Sequence, residues 1–194
     1  MNALLYALVV VIWGTTWIAI SLQQQSSISA HVAVFWRFFI SALVLFAFIV
    51  LCRKLQKLAV KDHLFCVLQA CCIFGFNFVC FYYAVQYISS GLEAVIFSMA
   101  VIFNTLNAKL FFGQQVSTRF YPAALLGGLG MLALFWHDLV GNTLNNHTLI
   151  GIGLCVLGTY GFSLGNMISA RHQKQGLDIF TTNAYGMLYG SILM

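Results

Sequence analysis

The chain has 194 residues, of which 61% are hydrophobic and 7% charged, whereas a soluble domain carries roughly a quarter of its residues as charged groups. No fold of this length hides that much apolar surface from water, so the composition excludes a soluble globular domain and points to an all-α, polytopic helix bundle in lipid. The net charge is +5, and four of the nine basic residues (Arg53, Lys54, Lys57, Lys61) share one short loop, which reads as a membrane-orientation signal and argues against a nucleic-acid partner.

Crossing a hydrocarbon core takes roughly 20 helical residues at about 1.5 Å rise each. On that measure the spans are Ala3–Leu22, His31–Cys52, Leu64–Gln86, Ser89–Phe112, Phe120–Trp136 and Thr148–Ala170, with a seventh opening near Ile179. The first run has no Lys or Arg before it and is followed by further spans, so it is expected to be a retained helix and not a cleaved signal. Pro122 falls in the first turn of the fifth span, where its missing N–H breaks no helical bond. Cys66, Cys71, Cys72, Cys80 and Cys155 lie inside apolar runs and Cys52 at the end of one, without C-x-x-C spacing. Cysteine is therefore read as a small apolar filler and not as a disulfide framework.

The connections alternate in charge. Those after spans one, three and five (Gln23–Ala30, Tyr87–Ile88, His137–His147) contain no Lys or Arg, whereas those after spans two, four and six carry the Arg53–Lys61 cluster, Arg119, and Arg171 with Lys174. Strict alternation places the even-numbered exits, and hence the N-terminus, in the cytoplasm. Five spans are an odd number, so a second copy of a five-helix unit would enter the membrane upside down. Weak internal similarity supports such a copy. Trp13-Gly14 is echoed by Tyr160-Gly161, and the stretch Phe35–Leu43 by Ala184–Ile192, at offsets of about 148 residues, as in the inverted repeats of secondary transporters. The expected organisation is thus a first repeat over residues 1–136 and the start of an inverted second repeat over residues 148–194. Met194 falls in mid-span, where terminal carbonyls would lack partners, so the sequence is expected to be part of a longer protein.

Two intramembrane charges draw attention, because such groups are costly and are usually paired or functional. Arg37 lies six residues into span two and Glu93 four residues into span four, both roughly 6–9 Å below the same face. An ion pair between them is feasible. Ser90-x-x-Glu93 also fits a capping box, Arg37 could instead snorkel to headgroups, and Glu93 is the natural group if protons couple to transport. Span four carries a stripe (Glu93, Phe97, Ala100, Asn104, Asn107) within about 40° of one line at 100° per residue. Its amides must face other helices, as glue or as the lining of a wet cavity. Trp13, Thr16 and Trp17 in span one and Asn77 in span three could complete an amphipathic pocket. Ala124-x-x-x-Gly128 and Gly161-x-x-x-Gly165 are small-x-x-x-small seams, read mainly as packing within the chain and secondarily as a basis for a homodimer.

The chain contains no H-E-x-x-H, G-x-S-x-G or Walker A pattern, and its five histidines (His31, His63, His137, His147, His172) are scattered at loop or interface positions. No catalytic residue, metal site or cofactor is expected, and an enzyme is disfavoured. Several short motifs, in this order and spacing, resemble the EamA-type members of the drug/metabolite transporter superfamily. They are Trp13–Ile20, Trp36-Arg37-Phe38, Phe81–Leu92, Leu110–Gln114 and Gly127–Gly130. The resemblance implies ten helices in two inverted halves around a central cavity, of which this chain supplies about seven. It further implies a secondary transporter, exporter or exchanger, of small organic metabolites or drugs across the bacterial cytoplasmic (inner) membrane. Its partners would be membrane lipid and a small-molecule substrate. Gly113-Gln114 stands where similar proteins usually carry Gly-Glu. The competing expectation is a non-transporting or inactive truncated membrane subunit.

Overall fold

The computed structural model describes residues 2–24, 28–140 and 146–194, and the side chains of all of these except 2, 24 and 135–140. The parts of the connections after spans one and five that carry residues 25–27 and 141–145, and the side chain of His137, lie outside the described residues. The secondary structure of the described residues is helical, with short connections between α1 (Asn2–Gln24), α2 (Ala30–Leu51), α3 (Val60–Ala84), α4 (Ser90–Phe112), α5 (Phe120–Val140), α6 (Asn146–Lys174) and α7 (Ile179–Ile192). Helices α1, α2, α3, α4 and α6 are each long and apolar enough to cross a membrane. The protein is a multi-pass membrane bundle.

Local sequence sets the helix ends. Ser29 and Ser89 sit in extended conformation and their side chains accept from the N–H groups of Val32 and Leu92, which starts α2 and α4. Asp178 does the same for α7, its carboxylate accepting from Thr181 N at 2.7 Å and from the Thr181 hydroxyl at 2.8 Å. Each cap satisfies donors that the helix start leaves open. At the other end of α4, Gly113 adopts φ +63°, the left-handed closure that glycine accommodates without a Cβ clash.

Two spans are irregular. Helix α3 opens α-helical over Val60–Gln69, widens to a π-helix over Ala70–Phe76 and closes as α-helix over Asn77–Ala84. Helix α4 is interrupted at Ser98–Met99, where Met99 N donates to Ile96 O at 3.0 Å in the tighter i−3 pattern and the Ser98 hydroxyl donates back to Val95 O at 2.6 Å. Helix α3 also begins four residues before the expected Leu64, and α6 runs on to Lys174 past the expected Ala170.

Lipid offers no hydrophobic drive for one helix to seek another, so close backbone approach matters more than apolar content. The bundle is assembled on α3 in that way. A Cβ placed on Gly158 would sit 2.9 Å from Phe81 and 3.0 Å from the Asn77 carbonyl oxygen; on Gly161, 2.9 Å from Phe76; on Gly165, 2.2 Å from Ile73. The Gly161-x-x-x-Gly165 pattern is therefore a seam within the chain, between α6 and α3. On the other side of α3, Phe74 seats against Gly186 and Gly190 of α7, and α7 packs along α2. Helix α4 lies on α6, and α1 reaches the bundle mainly through α4. A Cβ placed on Gly128 of α5 would meet nothing within 4 Å among the described residues, so the Ala124-x-x-x-Gly128 pattern is not closed there. Cys66, Cys80 and Cys155 are buried and unbridged, as expected of fillers, while Cys52 and Cys71 face outward.

Candidate functional site

The helices α1, α2, α3, α4, α6 and α7 together wall a cavity of about 440 Å³. Its surface is largely aromatic: Trp13 and Trp17 from α1, Phe38 from α2, Phe74, Phe78 and Phe81 from α3, Phe97 from α4 and Phe162 from α6. The rings meet edge to face. Trp17 lies 5.2 Å from Phe81 and 5.3 Å from Phe97, Trp13 5.6 Å from Phe97, and Phe38 4.9 Å from Phe78 between centroids. Such contacts fix ring orientation, because the positive ring edge seeks the negative face.

Four polar side chains interrupt this surface: Thr16, Arg37, Ser41 and Asn77. The Thr16 hydroxyl donates to Ile12 O at 2.8 Å and the Ser41 hydroxyl to Arg37 O at 2.7 Å, so both are spent on their own helices. Asn77 and Arg37 differ. Asn77 is 1% exposed and its Oδ1 has no partner, and Arg37 has a buried Nη1 without one. Asn77 is the first residue after the π-helical turn of α3. A π-turn shifts the angular register of the residues beyond it, which is why such turns recur at functional sites.

Arg37 and Glu93, considered as an ion pair, are not brought together. Helix α2 packs on α7 and α3, whereas α4 packs on α1 and α6, so the two residues face different neighbours. The Arg37 guanidinium lies 5.2 Å from the centre of the Phe78 ring. Glu93 is fully buried against α6, where the Cys155 thiol lies 3.6 Å from its backbone oxygen, and neither carboxylate oxygen has a partner. The capping box does not form either: the N-cap is Ser89, one residue earlier than the pattern requires, so Glu93 falls past the reach of the cap. Among the described residues the ion pair is Arg171–Asp62, at 3.4 Å.

The stripe on α4 faces α6 along its length. Phe97 meets Phe162 with centroids 5.0 Å apart, Asn104 Oδ1 accepts from Asn166 Nδ2 at 3.3 Å, and Asn107 Nδ2 donates to Ser163 Oγ at 2.9 Å. Asn107 is therefore held between helices. Asn104 also borders a separate cleft with Gln114 and Gln115 at the Arg119 end of the bundle. Of the six path candidates, Trp13, Thr16, Trp17 and Asn77 share the aromatic cavity and Asn104 and Asn107 do not.

Sequence reasoning passed over Phe74, Phe78 and Phe81, although their spacing of four and then three along α3 is the mark of a single helical face. It also passed over a polar cluster at the end carrying the Arg53–Lys61 loop. There Gln56 Oε1 accepts from Asp178 N at 2.6 Å, Gln69 Nε2 donates to Asn183 Oδ1 at 2.9 Å, and the Tyr189 hydroxyl and His63 Nδ1 lie 2.9 Å apart. His172 is buried beside them with neither ring nitrogen partnered, and no cluster of metal-ligating side chains occurs among the described residues.

With this geometry in place, comparison with known proteins is decisive at the level of family. The profile of the EamA-like transporter family matches residues 1–136, more than half of the chain. The chain belongs to that family. It is also similar to a protein named as an uncharacterized transporter, YoaV, of Bacillus subtilis strain 168, at 25% identity over 189 residues. That match covers 96% of this chain and 62% of the relative, so the chain spans less than two thirds of the relative's length. No solved structure matches it. The family match covers α1 to α5 up to residue 136, and therefore Trp13, Thr16, Trp17, Arg37 and Asn77, the polar and indole part of the cavity wall.

Proposed function

We propose that this protein is a secondary transporter that carries a small organic solute through the aromatic cavity by alternating access, as an exporter or exchanger. The observation that carries this reading is the cavity itself, an amphipathic space walled by six helices in a member of a family of membrane transporters. Pockets of this kind bury most of a small ligand on apolar surface and orient it with few polar groups. Residues 1–136 would be one repeat, and residues 148–194 would open a second, inverted one, with the cavity at their junction. The alternation of basic loops supports a cytoplasmic N-terminus in a bacterial inner membrane. Membrane lipid and the solute are the partners this reading requires.

Counterflow of a radiolabelled panel of small organic acids, amines and neutral solutes, in proteoliposomes of the protein expressed from its own gene, tests it. Saturable exchange of at least one class is expected, with a drop of about two- to tenfold in Trp17→Ala, since an aromatic contact contributes about 0.5–1.5 kcal/mol beyond its area burial. Exchange that Trp17→Ala leaves at full rate would overturn the assignment of this cavity as the path.

A further inference from the structure

We infer that the solute is an organic monoanion, a carboxylate on a compact apolar body, held by Arg37 at the mouth of the aromatic cavity. The inference rests on the transport reading above and deepens it. Arg37 is the cation in the wall of the 440 Å³ cavity. It also borders a second cavity of about 410 Å³, formed by Gln23, Ile28, Ala33, Trp36 and Ile40 beside the connection between α1 and α2. The guanidinium thus borders both the second cavity, a vestibule in this reading, and the aromatic chamber.

Among the described residues no acid neutralises it. The chain has four acidic residues. Asp62 pairs with Arg171, Asp178 caps α7, and Glu93 is buried against α6. The fourth, Asp138, lies in α5 and its side chain is outside those described. No described carboxylate lines either cavity. The Phe78 ring, 5.2 Å away, attracts the guanidinium without cancelling its charge and leaves the buried Nη1–H groups unpaired. A cation in low-dielectric surroundings with open donors is stabilised by an anion that arrives, and a guanidinium presents its donors as a fork that fits a carboxylate.

Two further features define the rest of the ligand. The chamber beyond Arg37 is lined by ring faces and edges, which favours an apolar or aromatic body over a sugar or a polyamine. The unpartnered Oδ1 of Asn77, deep in the same wall, is an acceptor and suits a ligand that also carries a hydrogen-bond donor.

The test uses three probes with one body: 3-phenylpropionate, its primary amide and 3-phenylpropylamine. Binding is read by quenching of intrinsic tryptophan fluorescence, to which Trp13 and Trp17 in the cavity wall contribute, and by counterflow in proteoliposomes. The carboxylate is expected to bind and exchange at least about tenfold better than the amide, with the amine weakest. Arg37→Gln should bring carboxylate and amide to equal affinity, and Arg37→Lys should retain part of the difference. Equal handling of all three probes by the unaltered protein, or preference for the amine, overturns the monoanion while leaving the transport reading intact. Equal competition by inorganic phosphate overturns the apolar body and leaves a general anion site. If the panel described above exchanges nothing, the transport reading fails and the inference fails with it. The comparison within the unaltered protein decides the matter even if the Arg37 variants do not fold.

Discussion

At the scale of single residues, two glycines of α6 separate what is packed from what is merely apolar. A Cβ on Gly158 would meet the Asn77 carbonyl oxygen and Cys80 Cβ, both at 3.0 Å, and backbone cannot retreat as a side-chain tip can; Gly153, five residues away, has nothing within 4 Å. Gly158→Ala is therefore expected to destabilise the bundle by about 1–3 kcal/mol, and Gly153→Ala to be neutral or stabilising by up to about 1 kcal/mol. Thermal unfolding of both variants in the same detergent checks the pair. Asn77 gives a second contrast, between stability and function. Its buried Oδ1 makes no bond in the fold, so Asn77→Leu removes an unsatisfied group and should leave the melting temperature unchanged or raised. The same substitution should lower solute exchange by about tenfold, the value of one ligand hydrogen bond of roughly 1.4 kcal/mol. A melting temperature several degrees lower would mean that the amide is structural. The sequence marked Trp13, Thr16, Trp17 and Asn77 for one path together with Asn104 and Asn107, because their chemistry is unusual inside a span; the first four share the cavity and the two amides of α4 do not. It could not mark Phe38 or Phe162, whose apolar side chains look the same facing lipid or facing a cavity.

At the scale of elements, the helices were legible because crossing a bilayer imposes both a length and an unbroken apolar run, and both are visible in one dimension. The π-turn at Ala70–Phe76 was not, since no residue in that stretch forbids regular α-helix; it lies where α3 packs on both sides, Gly161 and Gly165 of α6 against Ile73, Cys72 and Phe76, and Gly186 and Gly190 of α7 against Phe74. The amide stripe of α4 was legible as a face that must avoid lipid, but the partner was not, because Ser163 and Asn166 lie about 60 residues away and carry no matching periodic signal. Likewise equal depth made Arg37 and Glu93 a plausible pair, and only the order of the helices around the bundle separates them. The α4–α6 reading makes a quantitative expectation. In a double-mutant cycle of Asn107→Leu and Ser163→Ala the coupling energy should be about 0.6 kcal/mol and at most about 1.7 kcal/mol, the average and the maximum found for hydrogen bonds between membrane helices. Unfolding in a denaturing detergent measures it, and a coupling near zero would return Asn107 to the candidates for the cavity wall.

For the whole molecule, the contacts are unequal at the two ends of the bundle. At the Arg53–Lys61 end, Gln56 of the α2–α3 connection is tied to Asp178 and Thr181 at the start of α7, and the first turn of α3 is tied to α6 by Asp62 with Arg171 and to α7 by His63 with Tyr189. At the other end Arg37 borders both the vestibule and the chamber. If the protein works by alternating access as proposed, the ties at the basic end would have to break for that end to open. The Asp62–Arg171 pair is the accessible lever. Both side chains are partly exposed, at 15% and 17%, so the pair alone contributes about 0.2–1 kcal/mol; the Arg171 guanidinium stacked 3.5 Å from the centre of the Phe65 ring adds to the tie. Asp62→Asn should thus shift the balance between the two states by roughly two- to fivefold and no more. Cys66 reports on that shift, because it is fully buried one turn beyond Asp62 on α3. In a background where Cys66 is the single cysteine, N-ethylmaleimide should modify it two- to fivefold faster in Asp62→Asn, about the factor by which the open state gains. Charge reversal at both positions, Asp62→Arg with Arg171→Asp, should bring the rate back toward its original value. An unchanged rate in Asp62→Asn would mean that the pair is a static surface contact and that Gln56 and His63 hold this end shut without it.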